Sequence, residues 1–244
     1  MAMTLQFPSR ADLENDSRVA QPHQVRKHPA RLHLKRLGWL FVVRGEPMMK
    51  RAFDIAVTLA LLPILGPIAL VAGILIKLTD GGPMLFWQKR VGRYGRVFEF
   101  PKLRSMVMNA EAVRRNLEAQ NEHGQGVTFK MRKDPRVTWI GRIIRRLSID
   151  ELPQLWSVLV GDMTLVGPRP ALPSEVSRYS IADRRRLEVT PGLTCLWQVS
   201  GRADIPFEKQ VQLDVSYIQE HSLWMDFLIL LRTVPAVLSG KGAY

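Results

Sequence analysis

Arg145-Arg146-Leu147-Ser148-Ile149-Asp150-Glu151-Leu152-Pro153 sets two adjacent carboxylates directly after a run of guanidiniums. A carboxylate among cations can attack phosphorus and form an acyl phosphate, while arginines neutralise the non-bridging oxygens. Mg²⁺ is held by one or two carboxylates together with substrate phosphate oxygens, which would suit Glu151 or Asp150. Neighbours on a helix point about 100° apart, so one acid can serve as nucleophile and the other as metal ligand or base. The same residues also read as an ordinary helix start, because Ser148-x-x-Glu151 is a capping box. With Ser148 as N-cap, Pro153 falls at the fifth helical position and removes a hydrogen bond; with Asp150 as N-cap it falls at the third and removes none.

Gly167-Pro168-Arg169-Pro170 is the second candidate. Prolines on both sides fix the backbone around one arginine, a group suited to a phosphate or a uracil-type acceptor; an ordinary turn with an exposed arginine is the plainer reading. Lys102 and Arg104 in FPKLRSM form the third, with a solvated strand face as the alternative. Other chemistries are absent. The chain holds no G-x-G-x-x-G, no G-x-x-x-x-G-K-[ST] and no H-E-x-x-H. Its five histidines are scattered, and the lone Cys195 rules out a disulfide within the chain and reads as a small buried apolar residue.

These residues need a scaffold, and the pattern predicts an α+β, mainly helical one. Residues 84–107 alternate short apolar runs with Gly and Arg, which predicts a hairpin. Helices are expected over about 109–122, 139–147, 152–160, 182–188, 207–221 and 224–238, with a strand over 127–131. Residues 1–30 are polar and patternless, a mobile tail, and 31–45 mix basic and apolar side chains as an interfacial segment does. Ile55 to Ile76 is an uncharged stretch of 22 residues, long enough to cross a hydrocarbon core. Pro63 and the Gly66-Pro67 pair sit at its centre, and basic residues flank it on both sides (Arg44, Lys50 and Arg51 before, Lys77, Lys89 and Arg90 after). The positive-inside rule therefore puts both ends in the cytoplasm. A helix broken at Gly66-Pro67 that enters one leaflet and returns satisfies that; a spanning helix and a buried soluble helix are the alternatives. The expected organisation is a basic tail over 1–45, a re-entrant membrane helix over 46–80, and a catalytic domain over 81–244 that ends in an interfacial helix.

The 35 basic and 22 acidic residues leave a net charge of +13, which calls for an anionic partner such as acidic lipid or a phosphorylated substrate. No nucleic-acid-binding motif is present. Apolar residues make up 46% of the chain, which excludes wholesale disorder.

Taken together, KRAFDIAVTLALLPILGPIALVAGILIKL, FWQKRVGRYGRVFEFPKLRSM, DPRVTWIGRIIRRLSIDELPQLWSVLVGDMTLVGPRP and PGLTCLWQVSGR resemble the bacterial sugar transferases, the monotopic polyprenyl-phosphate phosphoglycosyl transferases, in their exopolysaccharide-priming branch. The resemblance covers about residues 48–244. It implies a re-entrant helix and a cytoplasmic catalytic domain on the inner face of the bacterial cytoplasmic membrane. It also implies transfer of a sugar-1-phosphate from a UDP-sugar donor to undecaprenyl phosphate, release of UMP, and a Mg²⁺ cofactor. Asp150 matches the family's nucleophile, and Glu151 the residue that assists Mg²⁺ binding or acceptor deprotonation. Lys102, Arg145 and Arg169 match basic positions of its motifs; Arg104, Pro168 and Pro170 complete the expected substrate-binding set. Anionic lipid is a further implied partner, and a homo-oligomer is compatible with the sequence. The chain departs from the pattern at Gly66, where serine is usual, at Pro101, where an aromatic is common, and at Ser157, where asparagine is common.

Overall fold

The structure, a computed structural model, describes residues 29–110, 112–113, 131, 134–240 and 242; side chains are described from residue 45 on, Ala203 excepted. Two units are distinguished, Met1–Pro47 and Met48–Tyr244. The elements are α1 (Pro29–Asp80), β1 (Leu85–Val91), β2 (Val97–Leu103), α2 (Trp139–Arg146), α3 (Gln154–Val160), β3 (Thr164–Val166), α4 (Pro173–Val176), β4 (Gly192–Thr194), α5 (Leu196–Ser200), α6 (Phe207–Glu220) and α7 (Leu223–Ser239). Short 3₁₀ turns stand at Ile149–Glu151, Asp183–Leu187 and Arg202–Asp204.

The hairpin, α2, α3, α6 and α7 form where the periodicity places them. Within β2, Phe98 and Phe100 turn inward and Val97 and Glu99 outward, the period-2 alternation of a half-covered strand. In α2, Ile140 and Ile144 face the interior and the arginines face away from it, as a one-sided apolar stripe requires. The segment over 182–188 differs: it makes a 3₁₀ turn, Asp183–Leu187, rather than an α-helix. The helix expected over 109–122 and the strand over 127–131 fall mostly outside the described residues, as does the tail.

Two apolar clusters build the body that starts at Met48. One joins Phe98 and Phe100 of β2, Leu155 and Val158 of α3, Leu165 and Val166 of β3, Tyr217 of α6 and Ile229 of α7. The other joins Leu103 with Ile140 and Ile144 of α2. Helix α1 contributes to both, Val57 and Leu62 to the first and Ala72 and Ile76 to the second. Between those contacts lie exposed apolar side chains, among them Leu59, Ile64, Leu70 and Val71. The portion Gly45–Asp80 is long and apolar enough to cross a membrane, and an 18-residue stretch within it has a mean hydropathy of 2.6. The helix break expected at Gly66-Pro67 does not form: helical structure runs unbroken over Pro63, Gly66 and Pro67. A side chain added at Gly66 would meet nothing within 4 Å, so glycine is not required there for close packing.

Strands β3 and β4 pair in parallel, Thr164 with Gly192 and Val166 with Thr194. Each is three residues long, too short for a periodic signal. Their backbones touch: a Cβ on Gly192 would fall onto the Gly167 amide, and one on Gly167 would lie 2.7 Å from the Thr190 carbonyl. Glycine at both places lets the loop after β3 cross the Pro191-Gly192 turn at backbone contact.

Candidate active site

Three elements converge. Strand β2 delivers Lys102, the 3₁₀ turn delivers Asp150 and Glu151, and the loop after β3 delivers Arg169. Arg169 donates from Nη2 to Glu151 Oε1 at 2.6 Å, and Lys102 donates from Nζ to the same oxygen at 3.2 Å. The capping box does not form. Ser148 adopts a left-handed backbone (φ 53°) and makes no side-chain cap, while Pro153 stands at the N-cap of α3. The left-handed Ser148 turns the chain sharply out of α2, and the 3₁₀ turn then points successive side chains about 120° apart. That divides the pair. Glu151 faces its two cations, whereas Asp150 is buried, 6% exposed, with no side-chain hydrogen bond to any described residue.

The environments pull the two acids apart. Burial raises the Asp150 carboxyl to about 6, against the pull of Lys102 and with added repulsion from Glu151. Burial would raise Glu151 too, but Arg169 and Lys102 together outweigh it and hold that carboxyl below the usual carboxylate range. Two carboxylates driven in opposite directions are a common arrangement where one acid does chemistry and the other holds charge in place. Burial lowers the Lys102 ammonium, and Glu151 counteracts that only in part.

Around this core lie cations that sequence reasoning did not single out. Arg90 donates from Nη1 to the Pro170 carbonyl at 3.0 Å and lies over the Phe100 ring, 5.2 Å from its centroid. Lys102 lies over the same ring at 5.3 Å. Arg202, at φ 54°, donates from Nη2 to Ser148 Oγ at 3.3 Å. Its Nη1 is buried with no hydrogen-bond partner among the described residues. Arg202 sits within electrostatic reach of Glu151, Arg169 and Asp150. Arg90 occurs inside a quoted motif and Arg202 ends another, but only the fold shows that these segments meet the dyad.

Of the expected residues, Asp150, Glu151, Lys102 and Arg169 come together. Arg145 acts on Asp150 through its charge. Pro168 and Pro170 are buried on either side of half-buried Arg169, so they stiffen its loop. Arg104 is placed elsewhere: its two terminal nitrogens fork onto Asp80, with Nη1 2.8 Å from Oδ2. A Cβ on Gly82 would run into that guanidinium. Arg104 therefore closes the end of α1 and is not brought to the dyad. Gly66 and Pro67 lie in the exposed middle of α1. Among the described residues no group of three or more Asp, Glu, His or Cys converges, so the acidic donors at the site are the adjacent pair alone.

Comparison with known proteins bears on what this cluster serves. A family model described as bacterial sugar transferase matches residues 45–240. The chain belongs to that family. The matched span holds α1 from Gly45 on and every residue of the site just described. The galactosyl transferase CpsE of Streptococcus agalactiae is 48% identical over 195 residues, 80% of this chain and 43% of the relative. The UDP-glucose:undecaprenyl-phosphate glucose-1-phosphate transferase of Caulobacter vibrioides is 40% identical, covering 81% of this chain and 72% of its own. The exopolysaccharide production protein ExoY of Sinorhizobium fredii is 38% identical over 80% of this chain and 88% of the relative. The chain thus spans less than half the length of the first of these sugar transferases and most of the other two.

Proposed function

We propose that this bacterial sugar transferase moves a sugar-1-phosphate from a UDP-sugar to undecaprenyl phosphate, releases UMP, and passes through a covalent intermediate on Asp150. The observation that carries the reading is the unequal dyad. Asp150 is buried and free of hydrogen bonds from described residues, beside a Glu151 fixed by Arg169 and Lys102.

An Asp150 carboxylate oxygen attacks the sugar-bearing phosphorus of the donor. The bond from that phosphorus to the bridging oxygen breaks, and UMP leaves with the electron pair. A phosphate oxygen of undecaprenyl phosphate then attacks the acyl phosphate, forming the lipid diphosphate sugar and returning Asp150 as a carboxylate. Lys102, Arg169 and Arg202 are the groups that neutralise the phosphate oxygens in both halves. Glu151, held ionised by its cations, is a weak base and suits a charge-holding role better than proton abstraction. The donor set fits Mg²⁺, since two adjacent carboxylates plus substrate phosphates are the ligands this ion prefers. Asp150 and Glu151 would hold it, and it would supply further neutralisation of the diphosphate.

The fold also offers support for a membrane arrangement. Lys50, Arg51 and Asp54 bond to β3, α3 and α7, while Ala72 and Ile76 pack with α2 and Asp80 pairs with Arg104. Both ends of the apolar run therefore sit on one charged body, with exposed apolar residues between them. That supports a helix that dips into one leaflet and keeps the catalytic body on the cytoplasmic face. Undecaprenyl phosphate presents its phosphate at that depth, and the net positive chain favours anionic lipid.

The test is nucleotide release. Purified protein in lipid, with undecaprenyl phosphate and Mg²⁺, is given a panel of UDP-sugars that includes glucose and galactose. UMP from one sugar, lost in Asp150→Asn, is the expected result. Release of UDP, or activity kept by Asp150→Asn, overturns the reading.

A further inference from the structure

The basic pair at the start of the apolar run reads, from sequence, as a positive flank for lipid headgroups. The structure turns both charges inward. Lys50 has a side chain only 17% exposed, and it donates to Asp226 Oδ2 at 2.5 Å and to the Val166 carbonyl at 3.0 Å. Arg51 donates to the Val158 carbonyl at 2.5 Å and to the Leu159 carbonyl at 2.7 Å. One turn on, Asp54 accepts from the Leu165 amide at 3.2 Å and from the Thr164 hydroxyl.

Apart from the Lys50–Asp226 pair, which ends on α7, these contacts end on β3 or α3, the elements next in sequence to Arg169 and Glu151. Arg51 donates to two of the last carbonyls of α3, of which Val158 also accepts from the Gly161 amide, and a cation there is favoured by the helix dipole. Helix α3 begins three residues after Glu151. Lys50 and Asp54 hold β3 along its whole length, and Arg169 follows Val166 by three residues, two of them Gly167 and the buried Pro168. Tyr217 completes the grip on Val166, donating to its carbonyl at 2.9 Å and to Asp226 Oδ1 at 2.7 Å. The two limbs pack together through Leu155 and Val158 of α3 and Leu165 and Val166 of β3, and they meet again at their far ends, where Arg169 touches Glu151 at 2.6 Å.

We propose that Lys50 and Arg51 are positioning residues: by holding β3 and α3 against the first turns of the membrane helix, they set the Arg169–Glu151 contact. The seating of α1 in the bilayer thereby becomes a condition for an assembled site. The inference rests on the proposed reading of that site, since it assigns a supporting role to residues remote from the dyad. An error of an ångström or so in such a support costs about 10²-fold in rate.

The experiment uses the full chain in phosphatidylethanolamine–phosphatidylglycerol nanodiscs. Wild type, Lys50→Met, Lys50→Arg and Arg51→Lys are compared by kcat and KM for UMP release and by hydrogen exchange read by mass spectrometry. Lys50→Met and Arg51→Lys are expected to lose about 10²-fold in kcat while remaining in the disc, and Lys50→Arg to regain most of that loss. Exchange should rise about tenfold or more over 164–170 in Lys50→Met and over 154–161 in Arg51→Lys, and stay at wild-type levels in α6. In an Arg169→Ala background, Lys50→Met should cost less than about threefold further, because both substitutions then break the same contact. Wild-type kcat in the inserted variants, exchange that rises evenly over the whole domain, or fully additive losses would overturn the proposal. Should Lys50→Met fail to insert, Arg51→Lys, which keeps the charge, decides it. A wild-type chain that yields no UMP from any donor defeats the functional reading alone, and the exchange arm then decides this one.

Discussion

Two buried charge clusters differ in one respect that separates a site from a scaffold. Around Asp150 and Glu151, the cations Lys102, Arg169, Arg202 and Arg90 act on two carboxylates, Arg90 being shared with Glu175. Beneath α6, Arg186 and Asp214 pair one to one at 2.6 Å. Arg186 there also donates to the Tyr179 hydroxyl at 3.2 Å and lies against the Tyr179 and Phe207 rings. Burial does not tell the clusters apart, since Asp150 is 6% exposed and Asp214 1%. Balance does. The Arg186–Asp214 pair sets one cation against one carboxylate, as do Arg136–Asp134 and Arg104–Asp80. The dyad's surroundings hold more positive charge than its two carboxylates neutralise, which is the condition for receiving anionic groups.

The largest effect expected is at Asp150. Replacing it with asparagine keeps the shape and removes the proposed nucleophile, so UMP release should fall by about 10⁴-fold or more. The same change removes a buried charge with no hydrogen-bond donor among the described residues, so the melting temperature should stay level or rise; a matching loss of both would place Asp150 in the scaffold class. Asp214→Asn is the reverse case. It leaves the Arg186 guanidinium buried and unpaired and should destabilise by about 3–5 kcal/mol in denaturant unfolding. Turnover per folded molecule should then remain within about threefold of wild type. Arg186→Met should cost less than Asp214→Asn. Burial already raises the Asp214 carboxyl to about 6 despite its partner, so once left alone it neutralises by taking a proton.

The same contrast explains what could be read from the sequence. The dyad stood out because two acids follow a basic helix within nine residues, and the hairpin, α2, α3, α6 and α7 announce themselves by periodicity. Arg104 did not. It sits two residues from Lys102 with the same composition around it, and only its pairing with Asp80, 24 positions away, removes it from the site. Arg202 and Arg90 were passed over for the converse reason, because their approach to the dyad depends on β4 pairing with β3 and on the hairpin folding back. Strands of three residues carry no period, and the Gly167–Gly192 contact that brings them together is a steric fact of the fold. The role of Lys50 was hidden by its neighbours: next to an apolar stretch, a lysine that faces protein and one that faces lipid have the same sequence.

Arg169→Lys should sharpen the comparison at moderate cost. The charge stays but the planar fork that meets Glu151 is lost, so kcat/KM should fall by about 10²-fold with little change in stability. A decline below about threefold would mean that charge alone suffices, as at a surface pair.

The smallest effect is the pH profile. A carboxyl raised above its ordinary value, as Asp150 is to about 6, keeps its proton until higher pH, and only the ionised form can attack phosphorus. Log kcat/KM should therefore be flat above about pH 7, bend near 6, and fall with unit slope below it. Lys102 is the largest force opposing that rise. Lys102→Met should move the bend to higher pH, whereas Asp214→Asn, in the balanced cluster, should leave it in place. A bend that follows Asp214 instead, or that stays put without Lys102, would mean the titrating group lies outside the dyad.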